Sequence, residues 1–183
     1  PYAALPEPSI AGQPSYRNTQ ISNDLPVTLN PGVYDNGIKI SGNGPVTLLP
    51  GVYILRNGGF QLSGNGTLTG AGVMLFNTVA DHPLSSGACG AWTVSGNGAV
   101  TLSAPTSGTY KGMLVWQDED CSDKKISWSG NGALTSSSGT IYGPTAEFEI
   151  SGNGEAAMNV NSQNVTKTFR VSGDAAINLN YTS

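Results

Sequence analysis

The sequence predicts an all-β chain. Residues 23–183 read as a right-handed, single-stranded parallel β-helix of about six or seven coils, preceded by an extended Pro-rich arm over 1–22. Three observations lead there. The phrase Ser-Gly-Asn-Gly stands at Ser41–Gly44, Ser63–Gly66, Ser95–Gly98, Ser129–Gly132 and Ser151–Gly154. A worn copy sits at Ser172-Gly173-Asp174, and Ser22-Asn23 reads as a first, incomplete one. Each full copy lies between alternating apolar segments, such as Ile38-Lys39-Ile40 and Val46-Thr47-Leu48. The spacing is regular: Asn43 to Asn65 and Asn131 to Asn153 are each 22 residues, and Asn153 to Asp174 is 21. Three short strands in about 22 residues make one solenoid coil. Such a coil cannot bury its own inward face. Stacking the next one about 4.8 Å away pairs the backbone groups and closes the core.

The arm comes first. Pro1, Pro6, Pro8 and Pro14 stand among small and polar residues, with Tyr2, Leu5, Ile10 and Tyr16 as apolar anchors. Proline fixes φ and removes a donor, so the stretch reads as extended, lying either on its own domain or along a neighbouring subunit. The coils follow. Leu25, Val27 and Leu29 alternate up to the Asn30-Pro31-Gly32 turn, and Val33-Tyr34 comes next. The two succeeding units repeat this grammar, ending in the more continuous runs Val52-Tyr53-Ile54-Leu55 and Val73-Met74-Leu75-Phe76. Glycines flanking Asn are expected to corner the chain with positive φ. Asn43, Asn65, Asn97, Asn131, Asn153 and the terminal Asp174 are expected to stack as a ladder of hydrogen-bonded side chains.

Two intervals are longer: 32 residues from Asn65 to Asn97 and 34 from Asn97 to Asn131. The insertions they hold carry Cys89 and Cys121. An even count in a Lys-poor, Gly/Ser/Thr/Asn-rich chain suits one disulfide and an oxidising, extracellular setting; two buried thiols are the alternative. The first insertion also holds the only histidine, His82, beside Asp81. The second holds the only charge cluster, Asp118 to Lys125.

Composition excludes several classes. The net charge of −4 leaves no basic patch for nucleic acid. No apolar run approaches the roughly 20 residues of a membrane-spanning helix. A start at Pro1 rather than Met reads as a mature or excised fragment. No cofactor motif is present. Asp118, Glu119, Asp120 and Asp123 are candidate calcium ligands, against a solvated acidic loop. His82 with Asp81 is a candidate acid–base pair, without any nucleophile motif beside it. Glu147 and Glu149, near Glu155, have the alternation of a carboxylate pair on one strand face, against plain solubilising glutamates. Asn65, Asn164 and Asn180 head Asn-x-Thr sequons.

The phrases Leu29-Asn30-Pro31-Gly32-Val33-Tyr34, Gly37-Ile38-Lys39-Ile40-Ser41-Gly42-Asn43, Leu49-Pro50-Gly51-Val52-Tyr53-Ile54-Leu55 and Gly70-Ala71-Gly72-Val73-Met74-Leu75-Phe76 resemble a recurrent bacterial pattern. So does the run from Ser103 to Leu114. The chain resembles the β-helical C-terminal region of TadG-like Flp/Tad pilus-assembly and bacterial cell-surface proteins over roughly residues 25 to 182. That resemblance implies an extracellular, envelope-associated, non-enzymatic module.

The expected role is therefore structural: a subunit of a surface fibril or pilus-like assembly, or an adhesion module. It would associate with itself through open solenoid ends and the arm. The alternative is a β-helix that binds or cleaves polysaccharide, possessing stacking platforms at Trp92, Trp116 and Trp128 and surface glycans as partners. A third expectation, ice binding, needs an outward threonine row, which Thr47, Thr69, Thr93 and Thr101 form only brokenly.

Overall fold

A computed structural model describes residues 5–129, 136–152, 158–161, 163–173 and 177–179. The strands are β1 (Ser15–Ile21), β2 (Val27–Leu29), β3 (Gly32–Ile40), β4 (Val46–Leu48), β5 (Gly51–Arg56), β6 (Phe60–Leu62), β7 (Leu68–Gly70) and β8 (Val73–Thr78). They continue with β9 (Trp92–Val94), β10 (Val100–Ser103), β11 (Met113–Gln117), β12 (Ile126–Ser129), β13 (Ser136–Ser138), β14 (Thr140–Gly152), β15 (Met158–Asn161), β16 (Asn164–Gly173) and β17 (Ile177–Leu179). Every pairing among them is parallel. Among the described residues there is no α-helix.

The strands stack on three faces of a β-solenoid. The first face joins the leading halves of β1, β3, β14 and β16 through β5, β8 and β11. The second joins their trailing halves through β6, β9 and β12. The third is the seven-stranded sheet β2-β4-β7-β10-β13-β15-β17, one strand per turn. β1 lies inside the stretch expected to be arm. Past Pro14, Tyr16 and Ile21 face inward, and the strand pairs with β3.

Two in-register columns on the second face line one side of the inner core. One runs Thr19, Ile38, Phe60, Trp92, Ile126, Phe148, Phe169; the other runs Ile21, Ile40, Leu62, Val94, Trp128, Ile150, Val171. Phe60 and Trp92 stack with ring centroids 4.8 Å apart. On the first face Tyr16, Tyr34 and Tyr53 stack. The Tyr34 hydroxyl donates to Asn30 O, and the Tyr53 hydroxyl donates to Leu49 O at 2.7 Å. The recurring Pro-Gly-Val-Tyr is thus a corner whose tyrosine closes the turn four residues before it. Burial pushes both phenols well above their ordinary pKa.

The glycines of Ser-Gly-Asn-Gly do a different job from the one expected. Gly42, Gly44, Gly64, Gly66, Gly96 and Gly98 are absent from the positive-φ set, as are Asn43, Asn65 and Asn97. A Cβ on Gly64 would overlap the Gly42 carbonyl, and one on Gly96 would overlap that of Gly64. Glycine is required because consecutive turns lie directly on each other. Positive φ among non-glycine residues falls instead at the corner between the first and second faces, at Asn18 (52°), Asn36 (67°) and Asn57 (69°), while Gly173 of the worn copy does take the expected positive φ (90°).

The continuous runs also have a reason. β8 and β11 are buried on both faces. Met74, Phe76, Met113 and Trp116 of these strands join Val33, Ile54 and Tyr142 of the neighbouring turns in a second apolar cluster. Leu5 and Ile10 of the arm pack against it, as does Tyr110. From Leu5 to Ile10 the arm therefore lies on its own solenoid, crossing several turns.

Candidate functional site

The arm, the two insertions and the ends of β8 and β11 meet on one flank. β8 and β11 end in buried amides, Asn77 and Gln117, in register with each other. Asn77 Nδ2 donates to Gly90 O at 2.9 Å, and Gln117 Nε2 donates to Lys124 O at 2.7 Å. A buried amide at this position ties down the backbone of each insertion as it leaves the sheet. The insertions are also bonded to each other: Cys89 joins Cys121 with their Cα atoms 5.5 Å apart, closing a sequence separation of 32. The expected disulfide is present. Thr78 Oγ1 donates to Asp118 Oδ2, adding a polar bridge.

His82 does not pair with Asp81. Asp81 instead accepts from Ser86 Oγ at 3.0 Å. His82 is 3% exposed, packs edge-on against Phe76, and turns Nε2 to the Pro8 carbonyl at 2.9 Å. Its Nδ1 faces Glu7 Oε2 at 3.6 Å. Glu7, His82 and Asp118 each bring one donor atom within 4.8 Å of the others. Beside them opens a cleft of about 290 Å³, lined by Glu7, Asp118, Glu119, Asp120, Trp116 and Tyr142. Burial first, then the Asp118 carboxylate, raises the Glu7 carboxyl above its usual range; Asp120 and Glu119 add to this and His82 opposes it. Burial and the neighbouring Glu119 push the Tyr142 phenol up.

Of the candidate calcium ligands, Asp118, Glu119 and Asp120 line this cleft and Asp123 stands apart. Asp118 is buried, with Oδ1 accepting from Asp120 N, whereas exposed Asp123 pairs with Lys124 at 2.8 Å. Glu147 and Glu149 share Lys125, at 2.7 and 3.5 Å. Lys125 holds the Glu147 carboxyl below its usual range, the reverse of a general acid. Glu155 lies outside the described residues. No family model, curated protein or solved structure matches the chain.

Trp92 and Trp128 are core residues and Trp116 belongs to the second cluster, each no more than 6% exposed, so none offers a face to a sugar. The expected side-chain ladder is present where it is described. Asn65 Nδ2 donates to Asn43 Oδ1 at 3.1 Å, and Asn97 Nδ2 donates to Asn65 Oδ1 at 3.2 Å. It begins at Asp24, which accepts from Asn43, so the first rung is the residue after Ser22-Asn23, and Asn23 stands at the position of Gly42. Asn131, Asn153 and Asp174 lie outside the described residues. A second ladder, Asn18–Asn36–Asn57, escaped sequence reasoning; its amides bond at 2.8 and 2.9 Å. The recurring Asn-Gly of Asn36-Gly37 and Asn57-Gly58 was its signal.

The threonine row is more regular than the sequence suggests. Thr28, Thr47, Thr69 and Thr101 stand in register on the third face, all exposed. Thr93 belongs to the second face, between Gln61 and Ser127.

Proposed function

We propose that this chain is a non-enzymatic structural module of an extracellular or cell-surface assembly, associating head to tail with further copies of itself. One observation carries the reading. The two inner-core columns end at Phe169 and Val171, which are 42% and 46% exposed, whereas Ile21 at the other end of its column is 6% exposed. Among the described residues no strand pairs the outer edge of β16 or of β1. At the N-terminal end, Leu25 is exposed and Val27 and Leu29 are half-buried. All strands run parallel, so the first turn of a second copy has the polarity needed to extend the columns of the first. A heterologous contact of this kind propagates along the axis as a filament.

The arm is held on its own solenoid, so the ends carry the proposed contact. The disulfide supports an oxidising compartment. The resemblance to envelope-associated pilus-assembly and surface proteins points the same way. Light scattering over a wide concentration range tests it. The expected mass rises with concentration for the native chain and stays at the monomer for Phe169→Lys with Val171→Lys. A native chain that stays monomeric at every concentration overturns the proposal.

A second reading rests on the threonine row. An uncharged file of hydroxyls, with Thr47 and Thr69 Oγ1 atoms 3.4 Å apart, suits an ordered water surface such as ice. Thermal hysteresis that disappears in Thr69→Lys supports it, and its absence in the native chain removes it. The polysaccharide alternative loses its stacking platforms to the core.

A further inference from the structure

We propose that Glu7, His82 and Asp118 bind a first-row divalent cation, Zn²⁺ by their donor chemistry, and that the ion fastens the N-terminal arm to the disulfide-bonded insertions. The site is independent of the assembly reading, since it lies on the flank and not at either end.

The geometry is that of a partly assembled coordination shell. Bonds of about 2.0–2.2 Å place neighbouring ligands roughly 3–3.6 Å apart. Glu7 Oε2 and His82 Nδ1 already stand 3.6 Å apart, and the whole trio fits within 4.8 Å. Glu7 is half-exposed at the arm surface, so its side chain is free to adjust to an ion held by the two buried ligands. The cleft alongside leaves room for a water or for a fourth carboxylate from Glu119 or Asp120.

The surrounding hydrogen bonds prepare two of the three ligands. The Pro8 carbonyl can only accept, so it places the imidazole proton on Nε2 and leaves the Nδ1 lone pair facing Glu7 and Asp118. A backbone carbonyl on the far nitrogen is a usual partner of a metal-bound histidine. Asp118 is held through both oxygens, by Thr78 Oγ1 and by Asp120 N–H, each of which leaves a lone pair free. These contacts fix buried side chains toward a point that the exposed arm carboxylate also reaches.

Charge completes the argument. Four carboxylates, of Glu7, Asp118, Glu119 and Asp120, face the cleft. The nearby cations are engaged elsewhere: Lys124 with Asp123, Lys125 with Glu147 and Glu149, and Arg56 with Asp35. Arg56 reaches only the His82 carbonyl, at 3.3 Å. One imidazole with two carboxylates suits a borderline-soft ion such as Zn²⁺, whereas Ca²⁺ and Mg²⁺ favour all-oxygen shells.

Calorimetric titration of Zn²⁺ into the untagged, chelator-treated, disulfide-intact chain tests the site. The expected result is one saturable site per chain, with Ca²⁺ failing to compete. Glu7→Gln, at an exposed arm position, weakens Zn²⁺ roughly tenfold or more. Asp123→Asn, in the same acidic loop but outside the trio, leaves affinity unchanged. Zn²⁺ also slows protease cleavage of the arm in the native chain and not in Glu7→Gln. No saturable binding at millimolar Zn²⁺, unchanged affinity in Glu7→Gln, or equal competition by Ca²⁺ each overturns the proposal.

Discussion

The second face of the solenoid and the flank with the insertions belong to one stack of turns and hold together by different means. On the second face, each turn repeats the last. Three-residue strands bury their two outer residues in the columns and point the middle one outward, as in Phe60-Gln61-Leu62. On the flank nothing repeats. Buried amides, a disulfide, a histidine and an arm carboxylate from distant parts of the chain gather on one side, and the carboxylate lines the cleft there. The repeat supplies a scaffold with almost no titratable chemistry in its core. What departs from the repeat is gathered where arm and insertions meet, and that is where the proposed metal ligands stand.

The comparison breaks first if the columns do not carry stability. Trp92→Ala removes a fully buried ring stacked on Phe60 and should cost about 3–5 kcal/mol in denaturant unfolding. A loss under about 1 kcal/mol, the scale of an ordinary surface change, would show that the column is not cooperative.

Opening the flank should come next. Replacing Cys89 and Cys121 together by Ser releases a closed loop and should cost roughly 3–4 kcal/mol by loop entropy. The same variant should expose the insertions to protease while the circular dichroism of the coils persists. Loss of the coils as well would mean that body and flank are one unit.

A smaller effect separates the two side-chain ladders. Asn36 has a φ of 67°, so Asn36→Ala forces a left-handed β-carbon and should cost about 1–2 kcal/mol more than Asn36→Gly. At Asn65, outside the positive-φ set, Ala should be no worse than Gly. Thermal denaturation of the four variants checks both comparisons.

The smallest effect is electrostatic. Lys125 lowers the folded-state pKa of Glu147, so this contribution is present above the ordinary carboxylate value and fades as pH falls through the lowered one. Lys125→Ala should flatten that part of the acid limb of stability against pH and leave the neutral plateau nearly unchanged. An unaltered acid limb would show that the pair contributes nothing.

Much of the fold was legible because a period exposes itself. Each Ser-Gly-Asn-Gly copy within the described residues marked a turn, and the two long intervals marked the insertions with their disulfide. The reason for the glycines was not legible, since close stacking and positive φ call for the same residue. It takes the turn of the neighbouring coil to tell them apart. The tryptophans misled for a related reason: Trp92 and Trp128 occupy inward positions that sequence alone did not separate from stacking platforms. The trio at the cleft was hidden by distance along the chain. His82 has an acid beside it, Asp81, yet it faces Glu7 from the arm and Asp118 from the other insertion. Only the route of the arm across the turns brings these together.

Negative-stain electron microscopy of the native chain beside Phe169→Lys with Val171→Lys tests the central claim most directly. End-to-end growth predicts rods longer than one solenoid for the native chain and single short particles for the variant. Single particles in both samples at high concentration, or equal rods in both, would contradict it.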